Sequence, residues 1–162
     1  MKITRLPTVP ISLLPCLFIA AGCSAYKISP TPPIGVYAVV VNKNNEFQAD
    51  GPAVNEVLKA IFLREQSEWP SGLPAVPYAR PRDCQEDDGF VAKILDMSKD
   101  AVAEHWLGMK RKDGRKSPAV IESDELLLQL VSTYDGAVGV CSNATLSHPD
   151  AEDVRVLVTF TY

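Results

Sequence analysis

The chain has 162 residues, enough for one compact domain and too few for two ordinary ones. Apolar residues make up 46% and charged ones 22%, the balance of a folded globular protein rather than a disordered or multi-spanning one. A net charge of −4, with no aromatic-basic interleaving, argues against a nucleic-acid partner.

The first segment differs from the rest. Lys2 and Arg5 form a short positive start, Leu13 to Ala21 is apolar, and Ile19-Ala20-Ala21-Gly22-Cys23 follows. A positive start, a core of roughly 7 to 15 apolar residues and small residues before a cut describe a secretory signal, too short to stay as a membrane span. The cysteine directly after Ala-Gly resembles the lipobox of bacterial lipoproteins. That resemblance implies cleavage before Cys23 and acylation of its thiol, with residues 1–22 removed. Ala20 stands where the pattern usually has leucine, and Pro7, Pro10 and Pro15 interrupt the segment. The alternative is an ordinary cleaved signal in which Cys23 has no role. Two or more acyl chains hold a protein stably on a bilayer, so lipidation separates a tethered protein from a free one. Ser24, rather than aspartate, follows the cysteine, which by the usual sorting rule points to the outer membrane.

Loss of residues 1–22 removes Lys2, Arg5 and no acid, taking the net charge from −4 to −6. Cys16 leaves with the signal and Cys23 is consumed by lipid, so Cys84 and Cys141 remain in an oxidising compartment. A disulfide between them closes a loop of about 57 residues and adds about 4 kcal/mol on the chain-entropy model. Two separate buried thiols are the other reading, and neither is preferred on the residues alone.

Residues 23–35 carry Pro30, Pro32 and Pro33 and read as a stiff, extended linker. The domain is expected over 36–162. Val36 to Val41 is a continuous apolar, largely β-branched run that suits a strand covered on both faces. Asp50-Gly51-Pro52 opens a helix with Val54, Val57, Leu58, Ile61 and Phe62 on one face, ending near Arg64. A loop with Trp69-Pro70-Ser71-Gly72 leads to a strand over Ala75 to Ala79.

An acidic stretch, Asp83 to Asp88, then opens a helix with Phe90, Val91, Ile94 and Leu95. Ser98 caps another helix carrying Val102, Trp106 and Leu107, followed by a basic loop over Lys110 to Lys116. A strand is expected over Ser117 to Ile121. Ser123 caps a helix with Leu126, Leu127, Leu130 and Val131 inward, and Asp135-Gly136 turns into a strand over Ala137 to Cys141. Alternation from Val154 to Thr161 gives a final strand near an edge. About five strands separated by four helices make an α/β layered domain.

The order VYAVVVNKNN, VLKAIFLREQSEWPSGLPAVPYARPRD, FVAKILDMSKDAVAEHW and ESDELLLQLVSTYDGAVGV resembles the periplasmic phosphate-binding proteins of ABC importers, and more closely their short, single-lobe relatives. The most telling pieces are Ile61-Phe62-Leu63 followed by Trp69, and Asp135-Gly136-Ala137-Val138-Gly139-Val140, where the family has a glycine-rich strand. The resemblance covers roughly residues 36–141. It implies one lobe of a type 2 periplasmic-binding fold, with a mixed sheet flanked by helices.

In that family an arginine, an aspartate three residues on and a Gly-Ser-Gly-Thr loop hold the phosphate. Arg80 and Asp83 match the first two, but the loop reads Cys84-Gln85-Glu86-Asp87, with Asp88 next. Backbone amides and small hydroxyls that donate to an anion have given way to bulky acceptors and negative charge. Like charges about 4 Å apart cost on the order of 1 kcal/mol even in water. Phosphate binding is therefore not carried over, and Arg80 with Asp83 reads as a surface pair or cap. The resemblance also places Cys84 after one central strand and Cys141 at the end of another, which favours the disulfide.

Other constellations are weaker. His105 follows Glu104 on a helix with no second ligand three or four residues away, and His148 sits in a polar loop, so no metal site is expected. Glu86, Asp87 and Asp88 lack the spacing of a calcium loop and suit the first turn of a helix. No serine elbow is present and Cys84 has no histidine near it in sequence, so neither an enzyme nor a cofactor is expected. The basic segment Lys110 to Lys116 reads as a solvated connection, or as a contact for anionic lipid, lipopolysaccharide or an acidic partner.

Three functions follow from these residues. The first is a membrane-tethered periplasmic module that binds a protein partner or a ligand other than phosphate. The second is a lipoprotein that still captures phosphate or another anion for an importer. The third is a structural envelope lipoprotein.

Overall fold

Val36–Asn42, whose apolar run includes four valines, forms the strand β1 in a five-stranded sheet in the computed structural model, which describes residues 34–162. The signal segment, Cys23 and the linker up to Pro33 lie outside the described residues. The remaining elements are α1 (Pro52–Phe62), β2 (Val76–Ala79), α2 (Gln85–Lys93), α3 (Lys99–Asp113), β3 (Ala119–Val120), α4 (Asp124–Thr133), β4 (Ala137–Ser142) and β5 (Val154–Thr161). The strand order is β3-β2-β4-β1-β5. β2 runs parallel to β3 and β4, whereas β1 is antiparallel to β4 and β5. This is the mixed α/β sheet expected from the alternation of elements.

Burial on both faces explains the composition of β1. Side chains alternate along a strand, so Tyr37, Val39 and Val41 enter one core with α1 and α2 while Ala38 and Val40 enter another with α4. β4 divides in the same way. Val138 and Val140 face α1 and α2; Ala137 and Cys141 face α4. Gly139 lies on the α4 side, where an added Cβ would stand 2.5 Å from Leu127 Cδ1. A side chain there would push α4 off the sheet.

Several expectations change in detail. The Leu-Leu-Leu run of α4 offers apolar residues to more than one face, so periodicity alone cannot choose between them. The structure buries Leu127, Leu128 and Val131 and leaves Leu126 exposed. In β5 the strict alternation breaks at a bulge opposite Val39 and Val40, which returns Val158 and Phe160 to the α1 side after Val154 has packed on the α4 side. The basic segment is helical through Asp113, and Gly114 closes α3 in the left-handed conformation at φ 67°. Lys110, Arg111 and Lys112 thus occupy a last helical turn, where positive charge meets the dipole favourably.

The polar segment after β1 has a role that composition did not announce. Asn42 is buried, and its Nδ2 donates to Val131 O at 3.0 Å and Ser132 O at 2.8 Å, closing the carbonyl end of α4. Its Oδ1 accepts from Asn44 N at 2.8 Å. At the other helix starts, Ser98 Oγ accepts from Ala101 N and Ser123 Oγ from Leu126 N, both at 3.1 Å, as the capping signals required.

Candidate functional site

The parallel strands β2 and β4 end side by side, and the chain leaving β2 carries Arg80 into the interior. Arg80 is only 7% exposed. Its Nη2 lies 2.9 Å from Asp124 Oδ1, and its Nη1 donates to Ile121 O at 2.9 Å. The Arg80–Asp124 approach is a charge contact without hydrogen-bond alignment, since neither Asp124 Oδ1 nor Arg80 Nε has a hydrogen-bond partner. The second carboxylate oxygen, Oδ2, accepts from Thr145 Oγ1 at 2.6 Å and Ser142 N at 3.1 Å. Asp124 therefore ties the start of α4 to the ends of β2 and β4.

This corrects the expected pairing. Asp83 is exposed, and the partner of Arg80 is Asp124, forty-four residues on and brought near by the parallel pairing of β2 with β3, which it follows. A first-turn acid after a capping serine was the available signal at Asp124. It could not be told from an acid that merely serves the helix dipole.

The cysteines are also corrected: Cys84 and Cys141 are free thiols. Cys141 projects from β4 into the α4 core, whereas α2, which Cys84 precedes as its N-terminal cap residue, packs on the opposite face of the sheet. The side-chain alternation along β4 sends Cys141 away from the face that α2 covers. Burial, with the Asp124 charge adding to it, pushes the Cys141 thiol up to about 12. Burial raises the Cys84 thiol as well. Neither has the lowered pKa of a nucleophile.

A measurement follows from Cys141. Its folded pKa of about 12 lies above the ordinary thiol value of 9.0, so over that interval the unfolded chain releases a proton that the native one keeps. Stability is unaffected by this group below pH 9 and should fall as pH rises towards 12, by about 1.4 kcal/mol per pH unit at most. Native protein should leave Cys141 unmodified by a thiol reagent that labels it fully in denaturant. Rapid native labelling of both cysteines would contradict its burial.

The loop after β2 is acidic and self-paired. Lys99, at the start of α3, contacts Asp88 and lies 3.8 Å from Asp87, while its Nζ donates to Arg82 O. Burial lifts the Asp87 carboxyl above its ordinary range against the pull of Lys99. For Lys99 burial acts downward, but the hydrogen bond and charge of Asp88, with Asp87, raise it overall. Arg82 is exposed, and its Nη2 reaches Lys99 O at 3.4 Å.

Behind this loop is a cavity of about 270 Å³ between the sheet and the inner side of α3. Phe62, Tyr78, Phe90, Leu95, Val102 and Trp106 give it an apolar wall, and Arg80, Arg82, Asp87 and Lys99 supply its polar groups. No residue of α3 is fully buried, which leaves the space beneath it. His105 helps to hold that helix: its Nε2 lies 2.9 Å from Leu63 O at the end of α1.

The chain matches no family model and no curated protein sequence. Its fold matches solved phosphate receptors. An ABC-type phosphate transport receptor from Vibrio cholerae aligns at TM-score 0.55 and 16% identity, over 76% of this chain and 46% of that one. PstS from Borrelia burgdorferi aligns at TM-score 0.56 and 8% identity, over 76% and 47% respectively. A possible phosphate binding protein from Planctomyces limnophilus aligns at TM-score 0.53 and 16% identity, over 76% and 41%. The chain thus has the fold of phosphate ABC transporter substrate-binding proteins and spans less than half the length of these three. At such identities the likeness is one of fold.

Proposed function

We propose that this protein is a membrane-tethered periplasmic binding module which shares its fold with phosphate receptors but does not capture phosphate. One observation carries the reading: Arg80, which the resemblance matches to the receptors' arginine, is buried and engaged with Asp124 and Ile121 O. An incoming oxyanion would have to displace a buried carboxylate and then sit near Asp87, a costly exchange in a low-dielectric site. The acids that follow Cys84 add to that cost, and Lys99 is already engaged with them. The tether is Cys23, acylated after removal of residues 1–22, and Ser24 favours the outer membrane. The basic last turn of α3, with Arg115 and Lys116, offers an acidic protein partner a surface on an otherwise negative domain.

Inorganic phosphate at millimolar concentration should leave the melting temperature unchanged. A saturable rise would mean that the native state binds it and would remove this reading. Cys23→Ser should move the protein from the membrane fraction to the soluble periplasmic one. If the variant stays with membranes, the lipid tether is wrong and the binding reading is unaffected.

A further inference from the structure

We propose that the groove between the end of α1 and the α3–β3 connection takes an extended, carboxylate-rich segment of a protein partner. This rests on the reading above and gives that module's basic surface a defined site, with an occupant of stated conformation and chemistry.

The groove has a volume of about 500 Å³. Arg64, Glu65 and Ser67 line one side, and Arg115, Lys116 and Ser117 line the other. Arg115 Nη1 donates to Arg64 O at 3.3 Å, which joins the two walls. Lys110, Arg111 and Lys112 stand just before it, in the last turn of α3. The described residues hold 13 basic and 20 acidic side chains, and six of the 13 gather here against Glu65 and Asp113. A negative domain thus carries one locally positive end.

These cations are also free. Lys43, Arg80 and Lys99 each have an acidic partner within the domain. Arg115 has only Asp113, 3.7 Å from its Nε. Among the described residues, Arg64, Lys110, Arg111, Lys112 and Lys116 pair with no acid. Arg64 adds an independent sign. Its φ of 59° lies in the left-handed region, where a side chain crowds the backbone and glycine or asparagine fits better. Strained backbone gathers at binding sites, and here it forms part of the groove wall.

Shape and place choose the occupant. Carboxylates spaced along a backbone match cations spread along a groove, whereas a small anion meets one or two of them. A bilayer surface is flat and does not enter a concave site. Ser67 O accepts from Ala75 N at 2.9 Å, so the groove lies at the end of the sheet where β2 and β4 begin. The chain enters the domain at the other end, where Gly35 pairs with Tyr162 beside Tyr37 and Ser142. The groove is therefore remote from the point where a Cys23 tether joins the domain, which favours a protein over lipid headgroups.

The probe is a fluorescein-labelled peptide of five Glu-Ala repeats, read by anisotropy against the full chain carrying Cys23→Ser. It should bind saturably at sub-millimolar concentration in low salt and weaken strongly in about 1 M salt. The matching Gln-Ala peptide should not bind. Arg115→Glu with Lys116→Glu should weaken binding at least about tenfold. Lys43→Glu with Lys93→Glu, an equal change of net charge outside the groove, should weaken it less than about threefold. Ser117→Trp fills the groove at constant charge and should weaken binding at least about fivefold; should it fail to fold, Ser67→Trp on the facing wall serves. Arg64→Asn should weaken binding several-fold while the melting temperature holds or rises, because asparagine tolerates the left-handed backbone.

No peptide binding in low salt, with phosphate also silent, would overturn the site and leave the binding-module reading standing. Affinity unchanged by the reversed pair or by a folded groove-filling variant would place the binding elsewhere and overturn it too. Phosphatidylglycerol vesicles that bind as strongly as the peptide, and lose binding in the reversed variant, would make this a lipid contact instead. A phosphate-dependent rise in melting temperature that persists in the reversed variant would strike the earlier reading rather than this one.

Discussion

Asp124→Ala should destabilise the protein by about 3–5 kcal/mol, because it strands the Arg80 guanidinium in the interior without a counter-charge. The side chains are 7% and 15% exposed, so the orphaned cation would have little access to water. The loss has a second part. Asp124 Oδ2 also holds Thr145 Oγ1 and Ser142 N, so the turn following β4 loses its anchor. Asp124→Asn keeps an acceptor for those groups and should cost less. The diagnostic variant is the double one. Arg80→Met with Asp124→Leu removes both charges and should recover most of the loss, since a buried pair replaced by apolar groups of similar volume is often neutral. Urea midpoints at constant m-value read all three. A loss below about 1 kcal/mol for Asp124→Ala would mean that the pair is solvated, and the argument against phosphate would lose its main support.

Trp69→Ala should cost a comparable 3–5 kcal/mol and lower the melting temperature by on the order of 10 °C. Trp69 is 1% exposed although it sits in a loop. Its ring packs on Phe47 at a centroid distance of 5.1 Å, and its Nε1 donates to Gly136 O at 2.9 Å. The same carbonyl accepts from Val76 N at 2.9 Å, so one oxygen joins the Trp69 loop, the start of β2 and the turn before β4. Gly136 can present it because it has no Cβ; one would lie 1.9 Å from Pro74 O. Trp69→Phe keeps most of the apolar area and loses only the donor, so it should cost about 1–2 kcal/mol. Equal losses in the two variants would show that the hydrogen bond, not the ring, dominates.

The two sites differ in how far they could be foreseen. Trp69 and Gly136-Ala137-Val138-Gly139 stood out as pieces of a familiar succession, and the structure joins them through one carbonyl. Arg80 stood out as well, but its partner did not. Asp83 was named because it matches the family's spacing from the arginine, and Asp124 was overlooked because strand pairing, not spacing, brings it there. The Cys84–Cys141 pairing failed by a related route: the resemblance placed both at strand ends, and the two-residue side-chain period turns Cys141 into the α4 core, away from the face that α2 covers.

Periodicity, capping residues and punctuation by glycine and proline were enough to state five strands, four helices and an α/β layering, because each is a local preference that tertiary packing here reinforces. They also made the acidic run Glu86-Asp87-Asp88 legible, since charge is read directly from the residues. Partnership was decided elsewhere. Which leucines of Leu126–Leu128 go inside, which carboxylate neutralises Arg80 and whether a cavity stays open under α3 depend on how separate elements meet. Those meetings are set by shape at a few points, such as the missing side chain at Gly139, that no local pattern records.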